Sequence, residues 1–157
     1  MKKISVIIPF KGAIDTLPRL VNSIPIDDRI EIILIENSNK PHDIAKWELD
    51  RDVIFISADE SRFAGGARNV GIENSTGEWL IFADSDDFFE KDAFSIIDEY
   101  VDSEYDLIYF GCNSVYDDTL MPSDRHLMFQ GIVDNYLSGK ENEIKTHSFS
   151  SVMFRGN

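Results

Sequence analysis

The chain has 157 residues, enough for one domain with a substantial core, and its 43% hydrophobic and 28% charged composition is that of a globular protein. A net charge of −14 argues against a nucleic-acid partner, which needs a basic face to displace counterions. No apolar run approaches the ~20 residues that span a bilayer, and no small-residue cleavage site follows the start, so the expected location is cytoplasmic.

Lys3 to Phe10 is apolar and β-branched on both faces and reads as a buried parallel-sheet strand. Asp15 or Thr16 then caps a helix with Leu17, Leu20, Val21 and Ile24 on one face and Pro18 in its first turn. Ile30 to Ile35 is a second buried strand. Ser38 to Pro41 supplies turn chemistry ahead of a short helix to about Leu49, and Val53 to Ser57 is a third strand. The loop Phe63-Ala64-Gly65-Gly66 leads into a helix through Ala67 to about Asn74, which Gly77 closes. Trp79 to Ala83 is a fourth strand. Lys91 to Val101 is helical, with Phe94, Ile97 and Val101 facing inward, and Asp106 to Val115 is a fifth strand. Cys112 stands alone in that run, so it forms no disulfide or cysteine-zinc site within the chain and reads as a small core residue. Tyr116 to Arg125 reads as a polar loop, Gly131 to Leu137 as a short helix stopped by Gly139, and Ser148 to Arg155 as a last strand. His42, His126 and His147 lie in polar contexts and read as surface residues. Strands alternating with helices predict an α/β fold, a mostly parallel central sheet flanked by helices, with the strands' C-terminal ends on one edge.

Ligands of open α/β sheets bind at that edge. Three polar groups fall there: Pro9-Phe10-Lys11, Glu36-Asn37-Ser38 and Asp84-Ser85-Asp86-Asp87. Three carboxylates in four positions repel one another unless a cation or strong donors neutralise them. Hard cations such as Mg2+ or Mn2+ suit such oxygen ligands, and a metal bridging a diphosphate would stabilise a departing nucleoside diphosphate. The acidic stretch continues to Asp106, where a solvated helix face and acidic caps account for most of it.

Four blocks in order and spacing carry a resemblance. Ile4-Ser5-Val6-Ile7-Ile8-Pro9, Glu31 to Asn37, Ala67-Arg68-Asn69-Val70-Gly71, and Thr76-Gly77-Glu78-Trp79 through Asp87 resemble the family 2 glycosyltransferases of GT-A fold. The likeness covers Lys3 to about Val115. It implies a nucleotide-sugar donor site, with Pro9 and Phe10 lining the nucleotide pocket and Glu36 and Asn37 holding the base. It also implies that Arg68 stands beside the donor, that Asp84 contacts ribose or diphosphate with Ser85 adjoining, and that Asp86 ligates the metal, Mn2+ or Mg2+. Arg68 also reads as a structural ion pair to Asp84, and Phe10 as core packing. Two departures stand out. Asn37 replaces the usual aspartate, which accepts from uracil N3–H; the amide still accepts, without charge assistance. Phe63 stands where the family often has glycine, so the preceding loop is expected to differ in shape.

The implied reaction is metal-dependent transfer of a sugar, with inversion, from a nucleotide-diphosphate sugar to an acceptor hydroxyl on a saccharide or lipid-linked acceptor. UDP is the leading nucleotide, and bacterial polysaccharide or glycan synthesis the expected setting. Residues 1–115 form the donor-binding α/β domain. Residues 116–157 begin the acceptor side and read as truncated, with the catalytic base expected beyond Asn157 and peripheral association at the inner membrane face an open alternative. A haloacid-dehalogenase-type phosphotransferase would place its aspartate pair after the first strand. A nucleotidyltransferase would want a glycine-rich basic loop where only Lys11-Gly12 stands, and it remains an alternative, as does nucleotide binding without catalysis.

Overall fold

The computed structural model describes residues 3–12, 15–38, 47, 49–59, 63–140 and 152–156. The chain forms two compact units, Met1–Ile108 with Val152–Asn157, and Tyr109–Ser151. The first unit holds strands β1 (Ile4–Phe10), β2 (Ile30–Asn37), β3 (Ile54–Ala58) and β4 (Trp79–Phe82), and helices α1 (Leu17–Ser23), α2 (Phe63–Glu73) and α3 (Ala93–Asp98). With β5 (Leu107–Tyr109) and β8 (Val152–Arg155) the strands make a six-stranded sheet in the order β3-β2-β1-β4-β8-β5. β1 pairs in parallel with β2 and with β4, and β2 in parallel with β3. The expected mostly parallel α/β sheet is present, and its parallel strands end on one edge.

Burial explains the continuous apolar runs. Every residue of β1 is buried, as are seven of the eight in β2, because both faces of a parallel sheet are covered. On one face Ile7, Ile33, Ile35, Ala58, Ala67 and Leu80 form a core cluster with Val70 of α2 packed on it. Full burial of a side chain such as Ile7 contributes about 1.5–3 kcal/mol. α2 lies so close that a Cβ at Gly71 would collide with Ile7 Cγ2 and stand 3.0 Å from Ile35 Cδ1. The apolar face of α1 behaves as its spacing requires: Leu17, Leu20, Val21 and Ile24 are all buried.

At the opposite edge a buried polar latch ties three strands. Glu31 of β2, 8% exposed, accepts from Ser5 Oγ at 2.5 Å, Thr76 N at 2.6 Å and Thr76 Oγ1 at 2.8 Å. Gly77 N donates to Ser5 Oγ at 2.9 Å, and a Cβ on Gly77 would stand 2.6 Å from Ser5 N and 2.7 Å from Ile4 C. The Thr76-Gly77 pair thus enters β4 pressed against β1. Burial pushes the Glu31 carboxyl up, but the hydrogen bonds from Ser5, Thr76 and Gly77 outweigh it and hold the group below its ordinary value.

Several elements differ from the sequence reading. β8 runs antiparallel to β4, inserted between β4 and β5, so its C-terminal end lies at the edge away from the others. The expected ten-residue fifth strand is two pieces, β5 and β6 (Ser114–Val115), and β6 pairs with β7 (Pro122–Ser123) in a separate ladder. Gly111, Cys112 and Asn113 between them are exposed, so Cys112 is a surface thiol and not a core residue. In the second unit α4 (Arg125–Leu137) starts six residues before the expected helix and is followed by Gly139 at φ 71. Gly131 lies inside it with open space where a Cβ would stand. His126 is half-buried rather than on the surface, its Nδ1 3.0 Å from Ser114 Oγ, while Ser123 Oγ donates to the same hydroxyl at 2.7 Å. The helix expected to about Leu49, His42 and His147 lie outside the described residues. Among the described residues no helix is long and apolar enough to cross a membrane.

Candidate functional site

The parallel strands deliver their ends to one cleft of about 780 Å³ in the first unit. It is lined by Pro9, Phe10 and Lys11 after β1, Asn37 at the end of β2, and Asp59 after β3. Phe63, Ala64 and Arg68 of α2 and Asp84, Ser85 and Asp86 after β4 complete it. The size falls in the range of small-ligand pockets, ~300–1,000 Å³.

β2 continues two residues past the expected end, so Glu36 and Asn37 are strand residues whose side chains point to opposite faces. Only one of the pair can face the cleft. That one is Asn37, 6% exposed, whose Oδ1 is buried without a hydrogen-bond partner. Glu36, implied by the resemblance as the other half of the pair, is 0% exposed and lies outside the residues that line the cleft. Phe10 reaches the cleft, but its ring, 3% exposed, is edge-on to Trp47 at 5.4 Å and 6.3 Å from Phe55, so core packing holds it.

The acidic turn after β4 is fixed from behind. Ala83 N donates to Ile7 O at 3.1 Å, and Asp87 N closes a turn onto Asp84 O at 2.9 Å. Just before α1, Thr16 Oγ1 donates to Ser85 O at 2.8 Å, and from α1 an Arg19 guanidinium nitrogen donates to Asp86 O at 2.6 Å, with Arg19 5.2 Å over the Phe88 ring. Thr16 is therefore not a side-chain cap for α1, as the sequence suggested; its hydroxyl spans to the acidic turn instead. These bonds engage main-chain carbonyls and leave the carboxylates for other partners. Asp84, half-buried, accepts from Arg68 at 2.5 Å, so the ion pair anticipated for Arg68 is formed. Asp86 is exposed at the cleft.

The residues Phe63 to Gly66, expected as a loop, are the first turn of α2. Phe63 takes φ 53 in the left-handed region, a conformation natural to glycine. Asp59, Phe63 and Ala64 belong to the cleft although sequence reasoning did not assign them to the site. Asp59 could have been found, since it follows the C-terminal end of β3 and the same rule applies there.

Among the described residues no three Asp, Glu, His or Cys side chains converge to hold a metal ion. The acidic turn could hold a cation through Asp86, exposed at the cleft, with oxygen atoms of a ligand completing the shell, which is the habit of Mg2+. It does not fit an all-protein cage, because Asp84 is turned to Arg68.

The family model described as glycosyl transferase family 2 matches residues 5–155. The chain belongs to that family. An uncharacterized glycosyltransferase of Haemophilus influenzae is 28% identical over 88 residues, covering 55% of this chain and 30% of that protein. The poly(ribitol-phosphate) beta-N-acetylglucosaminyltransferase TarS of Staphylococcus aureus is 28% identical over 112 residues, covering 64% of this chain and 20% of TarS. The chain thus spans less than a third of the length of these curated relatives. A crystal structure of S. aureus TarS 1-349 in complex with UDP-GlcNAc aligns at TM-score 0.67 and 19% identity, over 98% of this chain and 45% of that one. The same fragment in complex with UDP aligns at TM-score 0.64 and 20% identity. At such identity the likeness is one of fold, and it agrees with the GT-A architecture expected from the motifs.

Proposed function

We propose that the cleft binds a nucleoside-diphosphate sugar, with UDP the leading nucleotide. The chain then supplies the donor side of a metal-dependent, inverting glycosyl transfer to an acceptor hydroxyl in polysaccharide or glycan synthesis. The observation that carries the reading is the pairing, within one cleft, of a buried acceptor without a partner at Asn37 and an exposed carboxylate at Asp86. A nucleotide answers both, with a base N–H at one end and a metal-bearing diphosphate at the other. Membership of the family and the UDP and UDP-GlcNAc complexes of TarS 1-349 support the choice of ligand.

Each residue then has a task. Asn37 Oδ1 accepts from the base edge, which repays the desolvation that its burial costs. Arg68 holds Asp84 and brings positive charge toward the diphosphate in a chain of net charge −14. Thr16 and Arg19 hold the turn, so Asp86 is positioned before the ligand arrives. A bound Mg2+ or Mn2+ would supply charge stabilisation of the leaving diphosphate, with Asp86 its protein ligand. In the transfer the acceptor oxygen bonds to the anomeric carbon as the bond to the diphosphate breaks. The acceptor proton goes to a base outside this set.

Titration of the isotopically labelled chain with UDP-GlcNAc and Mg2+, read by amide chemical shifts, tests the reading. Shifts are expected at Asn37, Arg68 and residues 84–86. Saturable shifts that spare all three places would refute it.

A further inference from the structure

Phe63 opens α2 and stands on the cleft, yet its side chain is 77% exposed. Its backbone, at φ 53, is in a region costly for any residue with a Cβ and free for glycine. A large exposed ring on such backbone adds little to the core and burdens the fold. Strain of that kind gathers where a ligand uses the residue.

Among the described residues two aromatics line the cleft, Phe10 and Phe63. The Phe10 ring is committed to Trp47 and Phe55 at 3% exposure, so the ring open to the cleft is that of Phe63. The same cleft holds the Asn37 amide, 6% exposed, with its Oδ1 unpartnered. An amide at the base edge fixes hydrogen bonding but leaves the flat apolar face of a base in water. We propose that Phe63 is the stacking platform for the nucleobase of the donor, a specificity element that sorts nucleotides from bare phosphates. The inference rests on the donor-site reading above and extends it to a residue that reading leaves without a task. Stacking on an aromatic ring is indifferent to base identity, so Phe63 supplies affinity and Asn37 supplies choice.

Calorimetry of the chain with UDP and Mn2+, and with inorganic pyrophosphate and Mn2+, tests this on the parent, Phe63→Gly, Phe63→Leu and Phe63→Tyr. Phe63→Gly is expected to weaken UDP about 5- to 150-fold, the range for losing one base–aromatic stack, and to leave pyrophosphate binding unchanged. Its melting temperature is expected to rise, since glycine accepts the left-handed backbone, and that shows the fold intact. Phe63→Leu keeps an apolar side chain without a ring face and is expected to lose UDP affinity as well, whereas Phe63→Tyr stays within about twofold of the parent. UDP bound equally by the parent and Phe63→Gly would overturn the platform while leaving the donor site standing. Equal loss of UDP and pyrophosphate in Phe63→Gly would also overturn it, because the ring would then act through the α2 backbone. A parent that binds neither ligand would overturn the donor-site reading and the platform with it.

Discussion

Glu31→Gln probes the latch that sets β4 against β1 and so carries the acidic turn to the cleft. The native carboxylate accepts three hydrogen bonds, at 2.5, 2.6 and 2.8 Å, in a site where its residue is 8% exposed. Hydrogen bonds to a charged group contribute about 1.5–3 kcal/mol each against about 1 for neutral pairs. Glutamine keeps one acceptor oxygen and turns an NH2 group toward donors, so the loss works out at about 2–4 kcal/mol. At ~2–4 °C per kcal/mol for a chain of this size, the melting temperature should fall by about 5–15 °C at pH 7. The pH dependence gives a second handle. The folded pKa of Glu31 lies below its ordinary value of 4.5. Its contribution is therefore complete above the unfolded pKa and fades as pH falls through the folded one. Thermal melts of parent and variant between pH 7 and pH 3 should show a gap that narrows in acid. A loss below about 1 kcal/mol at pH 7, or a gap constant across the range, would refute the latch as the carrier of that stability.

Gly77→Ala presses a methyl onto main-chain atoms of Ile4 and Ser5 that have nowhere to go, and a loss of about 1–3 kcal/mol or more in chemical denaturation is expected. Arg68→Met leaves Asp84 beside Asp86 without its cation. Because the pair is about a third exposed, stability should fall by no more than about 1 kcal/mol, whereas UDP affinity with Mn2+ should fall at least about tenfold by calorimetry. Asn37→Asp restores a charged acceptor for the base, and UDP binding should gain several-fold relative to GDP, since a charge-assisted bond exceeds a neutral one by about 0.5–2 kcal/mol.

The first three described elements were legible because they obey strong local rules. β1 and β2 are unbroken apolar runs, which a parallel sheet covered on both faces demands, and Leu17, Leu20, Val21 and Ile24 recur at helical spacing. The acidic turn and Arg68 were legible as motifs. What stayed hidden depends on contacts distant in sequence. Antiparallel β8 finds its place through pairing with β4, and no local pattern states a strand's direction. Cys112 sits in an apolar run, but Gly111 and Asn113 interrupt the strand there and leave the thiol exposed. Glu36 and Asn37 look equivalent as neighbours. Two more residues of β2 turn them to opposite faces, so only the amide reaches the cleft. The role of Thr16 and Arg19 as braces of the turn after β4 joins residues nearly seventy positions apart, beyond any spacing rule.

The central claim is that one carboxylate, Asp86, joins a metal-bearing nucleoside diphosphate to this cleft. Calorimetric titration of UDP into the chain and into Asp86→Ala, each with and without Mn2+, measures it directly. The parent should bind UDP at least about tenfold more tightly with Mn2+, because the phosphates and the carboxylate share the ion's shell. Asp86→Ala should lose that gain while melting at the parent's temperature, the side chain being exposed. Equal UDP affinity with and without Mn2+ in the parent, or an undiminished metal effect in Asp86→Ala, would contradict the account.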